Sequence, residues 1–171
     1  MVIGDLRILA PIFGWNQQVN FIKMKSNICA NVKTNINAPI EKVWDALTKP
    51  EIIKKYFFGT QTTTSWKKGS PITFDGEWEG KSYHDKGTVL DVQKNKLIKY
   101  SYWSSMSGIE DKLENYVIVT YNLVENENDV ELTITQENIP DEKTKEHSEA
   151  NWKKVLNDLK KLVETNVPTY S

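Results

Sequence analysis

With 171 residues, 39 % of them hydrophobic and 26 % charged, the chain has the length and composition of one soluble domain with a single core. These values exclude a collagen-like, a disulfide-knotted or a mostly disordered protein. Lys+Arg 22 against Asp+Glu 23 leaves a net charge of −1, so no overall basic field draws the chain to nucleic acid.

The single cysteine, Cys29, has no internal disulfide partner. No Cys/His spacing resembles a zinc site, and neither metal nor cofactor is expected. Arg7 is the only arginine, which disfavours a bidentate phosphate or carboxylate clamp in the rest of the chain. Residues 1–23 differ in character from the remainder of the chain. Their apolar run, Ile8–Trp15, is interrupted by Pro11 and Gly14 and is too short to span a bilayer. It also lacks the basic start and small-residue cleavage site of a signal peptide. We therefore expect an N-terminal extension over 1–23, a single domain over 24–171, no membrane span and a cytoplasmic location.

From Ile28 to Ile36 apolar and polar residues alternate, which predicts a half-buried strand with Cys29 on its polar face. Asn37 is the expected N-cap of a helix that has Pro39 in its first turn and Ile40, Val43, Trp44 and Leu47 as its apolar stripe. Thr48-Lys49-Pro50-Glu51 has the form of a capping box opening a second short helix that ends at Tyr56. A meander of strands comes next. Phe57–Trp66 is β-branched and aromatic, Ile72–Trp78 alternates, and Ser82–Val92 continues with Gly87 as a bulge or close backbone approach. Ile98–Tyr102, Tyr116–Val124 and Val130–Ile134 complete about seven antiparallel strands, with a polar loop over Ser104–Asn115. After Pro140 the period becomes helical. Trp152, Val155, Leu156, Leu159, Leu162 and Val163 form one stripe of a helix expected over Glu142–Glu164.

This order predicts an α+β fold, an antiparallel sheet layered on one long C-terminal helix. The segment Ile36-Asn37-Ala38-Pro39-Ile40-Glu41-Lys42-Val43-Trp44-Asp45-Ala46-Leu47-Thr48-Lys49-Pro50-Glu51 resembles the signature of the START-like SRPBCC superfamily. Within it, the chain is similar to the branch of activators of heat-shock protein 90 ATPase. Lys68-Gly69, Gly87-Thr88-Val89 and the closing Trp152, Leu156, Leu159 and Lys160 strengthen the likeness, which spans about residues 28–165; Asn151 stands where the family usually has glycine. The resemblance implies a helix-grip fold, a seven-stranded curved sheet around the C-terminal helix with a cavity between. It also implies hydrophobic or lipid-like ligands in most members, regulation of a chaperone ATPase in one branch, and polyketide cyclase activity in a few.

Asp75, Glu77 and Glu79 share one strand face at about 6–7 Å spacing, a distance that overlaps glycosidase acid/base pairs. Phe74, Gly76 and Trp78 occupy the other face, so these acids read as a solvated edge. His84 lies beside Asp85, but adjacent strand residues face opposite ways, so Asp85 is badly placed to orient it. Cys29 lacks an activating neighbour and reads as an incidental thiol. Lys153, Lys154, Lys160 and Lys161 read as a solvated helix face. The informative residues are aromatic and apolar: Phe74, Trp78, Tyr100, Tyr102, Trp152 and Leu156 lie on inward faces and are the expected ligand-binding wall. The function expected is binding of a hydrophobic small molecule without catalysis. The alternatives are a chaperone-directed interaction module and, behind it, a cyclase-like enzyme, for which no acid or base is placed inside the cavity.

Overall fold

Seven stretches of alternating or β-branched residues become strands in the computed structural model, which describes residues 24–165. The segment 1–23, expected to be an extension, and the tail 166–171 lie outside the described residues. The first strand, β1 (Ile28–Ile36), leads into helices α1 (Ile40–Thr48) and α2 (Pro50–Tyr56). The meander then runs through β2 (Gln61–Thr63), β3 (Pro71–Trp78), β4 (Lys81–Gln93), β5 (Leu97–Tyr102), β6 (Val117–Glu125) and β7 (Val130–Ile139). Helix α3 (Glu142–Thr165) closes the described chain. The strands form one curved antiparallel sheet in the order β1-β7-β6-β5-β4-β3-β2. Each hairpin pairs with the next, and β1 returns to lie beside β7. This is the expected helix-grip arrangement.

Helix α3 packs chiefly along β1 and also touches α1, α2 and β7. Its buried Val155, Leu156, Leu159 and Val163 each contribute about 1.5–3 kcal/mol of apolar burial. At the helix start Asp141 Oδ1 accepts the Thr144 N–H at 2.7 Å, a side-chain cap. At the other end Glu164 accepts the Asn37 N–H at 2.8 Å, which holds its carboxyl below the usual range. Lys160, expected on a solvated face, instead bonds the Asn35 carbonyl and pairs with Glu164. Residue Asn138 sits in the left-handed region (φ 65°) and ties three segments together. Its Oδ1 accepts the N–H groups of Lys25 and Ser26, and its Nδ2 donates to the carbonyls of Glu114 and Tyr116.

Several local expectations are corrected. Pro39, not Asn37, precedes the first helical residue: its carbonyl accepts the first helical N–H groups, those of Lys42 and Val43, and no side chain caps the helix. The capping box does not form: the Thr48 hydroxyl donates back to the Trp44 carbonyl at 2.8 Å, and Lys49 occupies the cap position of α2. The strand expected over Phe57–Trp66 shrinks to three residues, since Phe58 (φ 51°), Gly59 (φ 74°) and Trp66 (φ 56°) leave the extended region. Trp78 is on the inward face of β3 by alternation, yet it is 48 % exposed at the end of the strand, where among the described residues its ring partner is Phe58.

Gly87 confirms the close approach. A Cβ built there would lie 1.6 Å from the Ser101 carbonyl oxygen and 2.6 Å from its carbon. Here β4 divides: Lys81–Thr88 pairs with β3, whereas Val89–Gln93 pairs with β5 across a bulge between Val89 and Asp91. Ser101 is buried, and its hydroxyl accepts the Thr88 N–H at 3.0 Å.

Gly87→Ala forces backbone apart, so urea unfolding should show a loss of about 3 kcal/mol or more, the upper end of overpacking costs. Gly108→Ala, at φ 71° with open space around it, should lose only about 1–2 kcal/mol, the left-handed penalty. Equal effects at the two positions would contradict the packing described.

The buried phenols give a second test. Burial pushes Tyr56 and Tyr100 well above the ordinary tyrosine value and Tyr121 up to about 12. Their protonated forms are therefore favoured by folding, a contribution complete below pH 10 and lost as pH rises above it, for Tyr121 through about 12. Melting temperature should fall steeply from about pH 10 upward, and phenolate absorbance from these residues should appear only with unfolding.

Candidate functional site

A cavity of about 440 Å³ opens between the sheet and the N-terminal half of α3. Its deep wall is aromatic. Phe74 on β3 stands between Tyr100 and Tyr102 of β5, with ring centroids 5.6 Å from each. On α3, Trp152 meets Phe57 at 5.9 Å and Tyr121 at 6.0 Å, and its indole N–H donates to Gln136 Oε1 at 2.8 Å. Tyr100 and Tyr121 share a hydrogen bond of 2.9 Å beneath this layer. Tyr100, Tyr121 and Trp152 thus each have the polar partner that a buried phenol or indole requires.

The mouth is apolar and exposed. Phe58, Trp78 and Met106 are 38 %, 48 % and 45 % exposed and line it together. Phe58 stacks edge-on against Trp78 at 5.8 Å, and Lys154 Nζ lies 5.2 Å from the Phe58 ring. A phenylalanine in the left-handed region carries backbone strain of about 1–2 kcal/mol, and that conformation belongs to the turn that presents its ring here.

One wall is polar. Asp85, 6 % exposed, accepts the Tyr102 hydroxyl at 2.5 Å on Oδ2 and the Ser105 N–H and hydroxyl at 2.8 and 2.9 Å on Oδ1. Burial and the Asp85 carboxylate push the Tyr102 phenol far up, so it stays protonated and donates its hydrogen bond to Asp85. Beside them the Tyr83 and Thr60 hydroxyls are 2.6 Å apart. Tyr83 lies across Gly76, where a Cβ would fall 2.3 Å from its oxygen. Among the described residues no group of three or more His, Cys, Asp or Glu could hold a metal ion.

Of the residues expected to form the wall, Phe74, Trp78, Tyr100, Tyr102 and Trp152 line the cavity, Trp78 at its mouth. Leu156 does not; it is buried in the core, and its neighbour Val155 takes the lining position. Asp85 is the acid that sequence reading did not place inside. Tyr83, Asp85, Gly87 and Val89 share one face of β4, and buried Val89 marks that face as inward, so the signal was present in the alternation. His84 faces the opposite way and pairs with Asp75, its cross-strand partner on β3. That register follows from the two-residue turn at Glu79 and Gly80, both left-handed (φ 49° and 76°), which sets Trp78 against Lys81 and hence Asp75 against His84. The pair is exposed and separate from the cavity. Cys29 is exposed too, with its thiol pushed up by partial burial and by Glu137, the opposite of activation.

No helix among the described residues is long and apolar enough to cross a membrane. No protein of curated function matches the sequence. Among solved structures, the solution structure of ChR145 from Cytophaga hutchinsonii is 48 % identical, with a TM-score of 0.73 over 83 % of this chain and 97 % of that one. The Aha1 dimer from Colwellia psychrerythraea is 20 % identical, at 0.65 over 80 % and 96 %. CalU16 from Micromonospora echinospora is 18 % identical, at 0.64 over 79 % and 75 %; at such identities the likeness concerns the fold. Residues 37–164 match the family described as Activator of Hsp90 ATPase homolog 1-like protein, and the chain belongs to that family, within the SRPBCC fold.

Proposed function

We propose that the protein binds a hydrophobic small molecule in the cavity under α3, with Phe74, Tyr100, Tyr102 and Trp152 as its wall and Trp78 at its entrance. The observation that carries this is the aromatic-walled space of about 440 Å³ with an apolar mouth. Small-ligand sites are concave, largely apolar and about 300–1,000 Å³ in volume, with a few placed polar groups. Family membership supports a ligand-binding domain in general terms. Binding rather than turnover is the reading we favour, because the one buried carboxylate among the described residues is already engaged by three donors.

A second reading, regulation of a chaperone ATPase, is favoured by the family's description alone. A coupled ATPase assay with the host chaperone decides it: stimulation would support it, and none at saturating protein would remove it.

Two measurements test the binding proposal. A ligand at a hundred times its Kd should stabilise the fold by about 2.7 kcal/mol, a rise in Tm of roughly 5–10 °C for a domain of this size, with altered tryptophan emission. An apolar fluorescent probe and a metabolite panel that move neither signal would sink the idea. Trp152→Phe keeps most of the apolar area but loses the indole bond to Gln136. It should stay folded at a cost of about 1 kcal/mol while changing probe affinity. Unchanged affinity would make Trp152 a packing residue only.

A further inference from the structure

The polar wall is asymmetric in what it offers a ligand. An ionised carboxylate has about four lone-pair positions and no donor. Oδ1 of Asp85 takes two hydrogen bonds from Ser105, and Oδ2 takes one from Tyr102. One acceptor position on Oδ2 is therefore open, on a residue that is almost fully buried and lines the cavity. Among the described residues no cation balances it from within. The chain's only arginine is Arg7, and the one lysine lining the cavity, Lys154, stands at the mouth against Phe58. His147, the other basic lining residue, is exposed on the first half of α3.

We infer that the cavity selects apolar molecules whose inner end carries a hydrogen-bond donor, a hydroxyl or a protonated amine, and rejects those that end in a carboxylate. The inference rests on the proposal that the cavity binds a small molecule at all. A donor-headed ligand completes the coordination of Oδ2 while its apolar body lies against Phe74, Tyr100 and Trp152. An anionic head meets a like charge at short range in a half-enclosed space, with no guanidinium or ammonium beside it.

The test uses a matched series on one apolar body: pyrene, pyrenemethanol, pyrenemethylamine and pyrenecarboxylate, titrated calorimetrically into the full chain. The amine and the alcohol should bind at least about tenfold more tightly than the carboxylate, the scale of a like-charge mismatch in a partly open site. Asp85→Asn should bring the amine and the carboxylate to within about threefold of each other. Should that variant fail to fold, Tyr102→Phe frees a second position on Oδ2, and the preference for the amine should persist or grow. Loss of the preference in Tyr102→Phe would overturn the assignment to Asp85. If pyrene binds but the carboxylate binds as well as the amine, the inference is wrong and the cavity proposal stands. If no member of the series binds, pyrene included, both fall.

Discussion

The contact between Gly87 and the Ser101 carbonyl organises the whole functional side of the sheet. With no side chain at residue 87, β4 and β5 approach until backbone meets backbone, and any larger residue would have to push them apart. β4 serves two partners at this point, β3 before it and β5 after it, and the bulge at Val89 to Asp91 absorbs the change. Two residues before the glycine stands Asp85; immediately after Ser101 stands Tyr102. The close approach is what brings these two side chains, from different strands, within hydrogen-bond distance. Lys86 and Trp103 extend the contact through a pair of backbone hydrogen bonds, which starts the loop that carries Ser105. The polar wall of the cavity is thus a consequence of one missing methyl group.

Periodicity is a property of the backbone, and what depends on it was legible. The inward residues of β1, Ala30, Val32 and Ile36, and the stripe of α3, Val155, Leu156, Leu159 and Val163, are buried as their spacing requires. Face is not the same as cover, however. Trp78 shares the inward face with Ile72 and Phe74, yet only the latter two lie beneath other elements. Leu156 and Val155 are adjacent on one helix, and which of them meets the cavity depends on helix rotation against the sheet, a tertiary quantity. Hydrogen-bond competition hides in the same way. Thr48 and Glu51 have capping spacing, but the Thr48 hydroxyl found the Trp44 carbonyl one turn back. The partners of His84 and Asp85 needed strand register, which the turn at Glu79 and Gly80 supplies only once it is known to be a two-residue hairpin.

The cavity itself sets a thermodynamic problem. Left dry and sealed, a void of about 440 Å³ would cost on the order of 10 kcal/mol at the rate measured for buried cavities. That is comparable with the entire stability of a domain this size, about 5–15 kcal/mol. A sealed dry void would thus take up much of that stability, and the space instead opens to solvent at the mouth formed by Phe58, Trp78 and Met106. Water in such a space solvates Asp85 and Tyr102 well and the aromatic wall poorly. Displacing that water with an apolar body releases wall hydration, but the same displacement strips solvent from the open position on Asp85 Oδ2. On the binding proposed above, the polar wall becomes a condition on the ligand: a molecule that also satisfies the carboxylate is favoured over one that does not, since an unsatisfied buried acceptor costs about 1–3 kcal/mol, more when charged. Packing alone would be served by apolar residues at 85 and 102. A left-handed phenylalanine at the mouth, a buried acid in the wall and a glycine that holds that acid against a tyrosine all run against local stability. They converge on one space, which is where local rules are expected to yield to function.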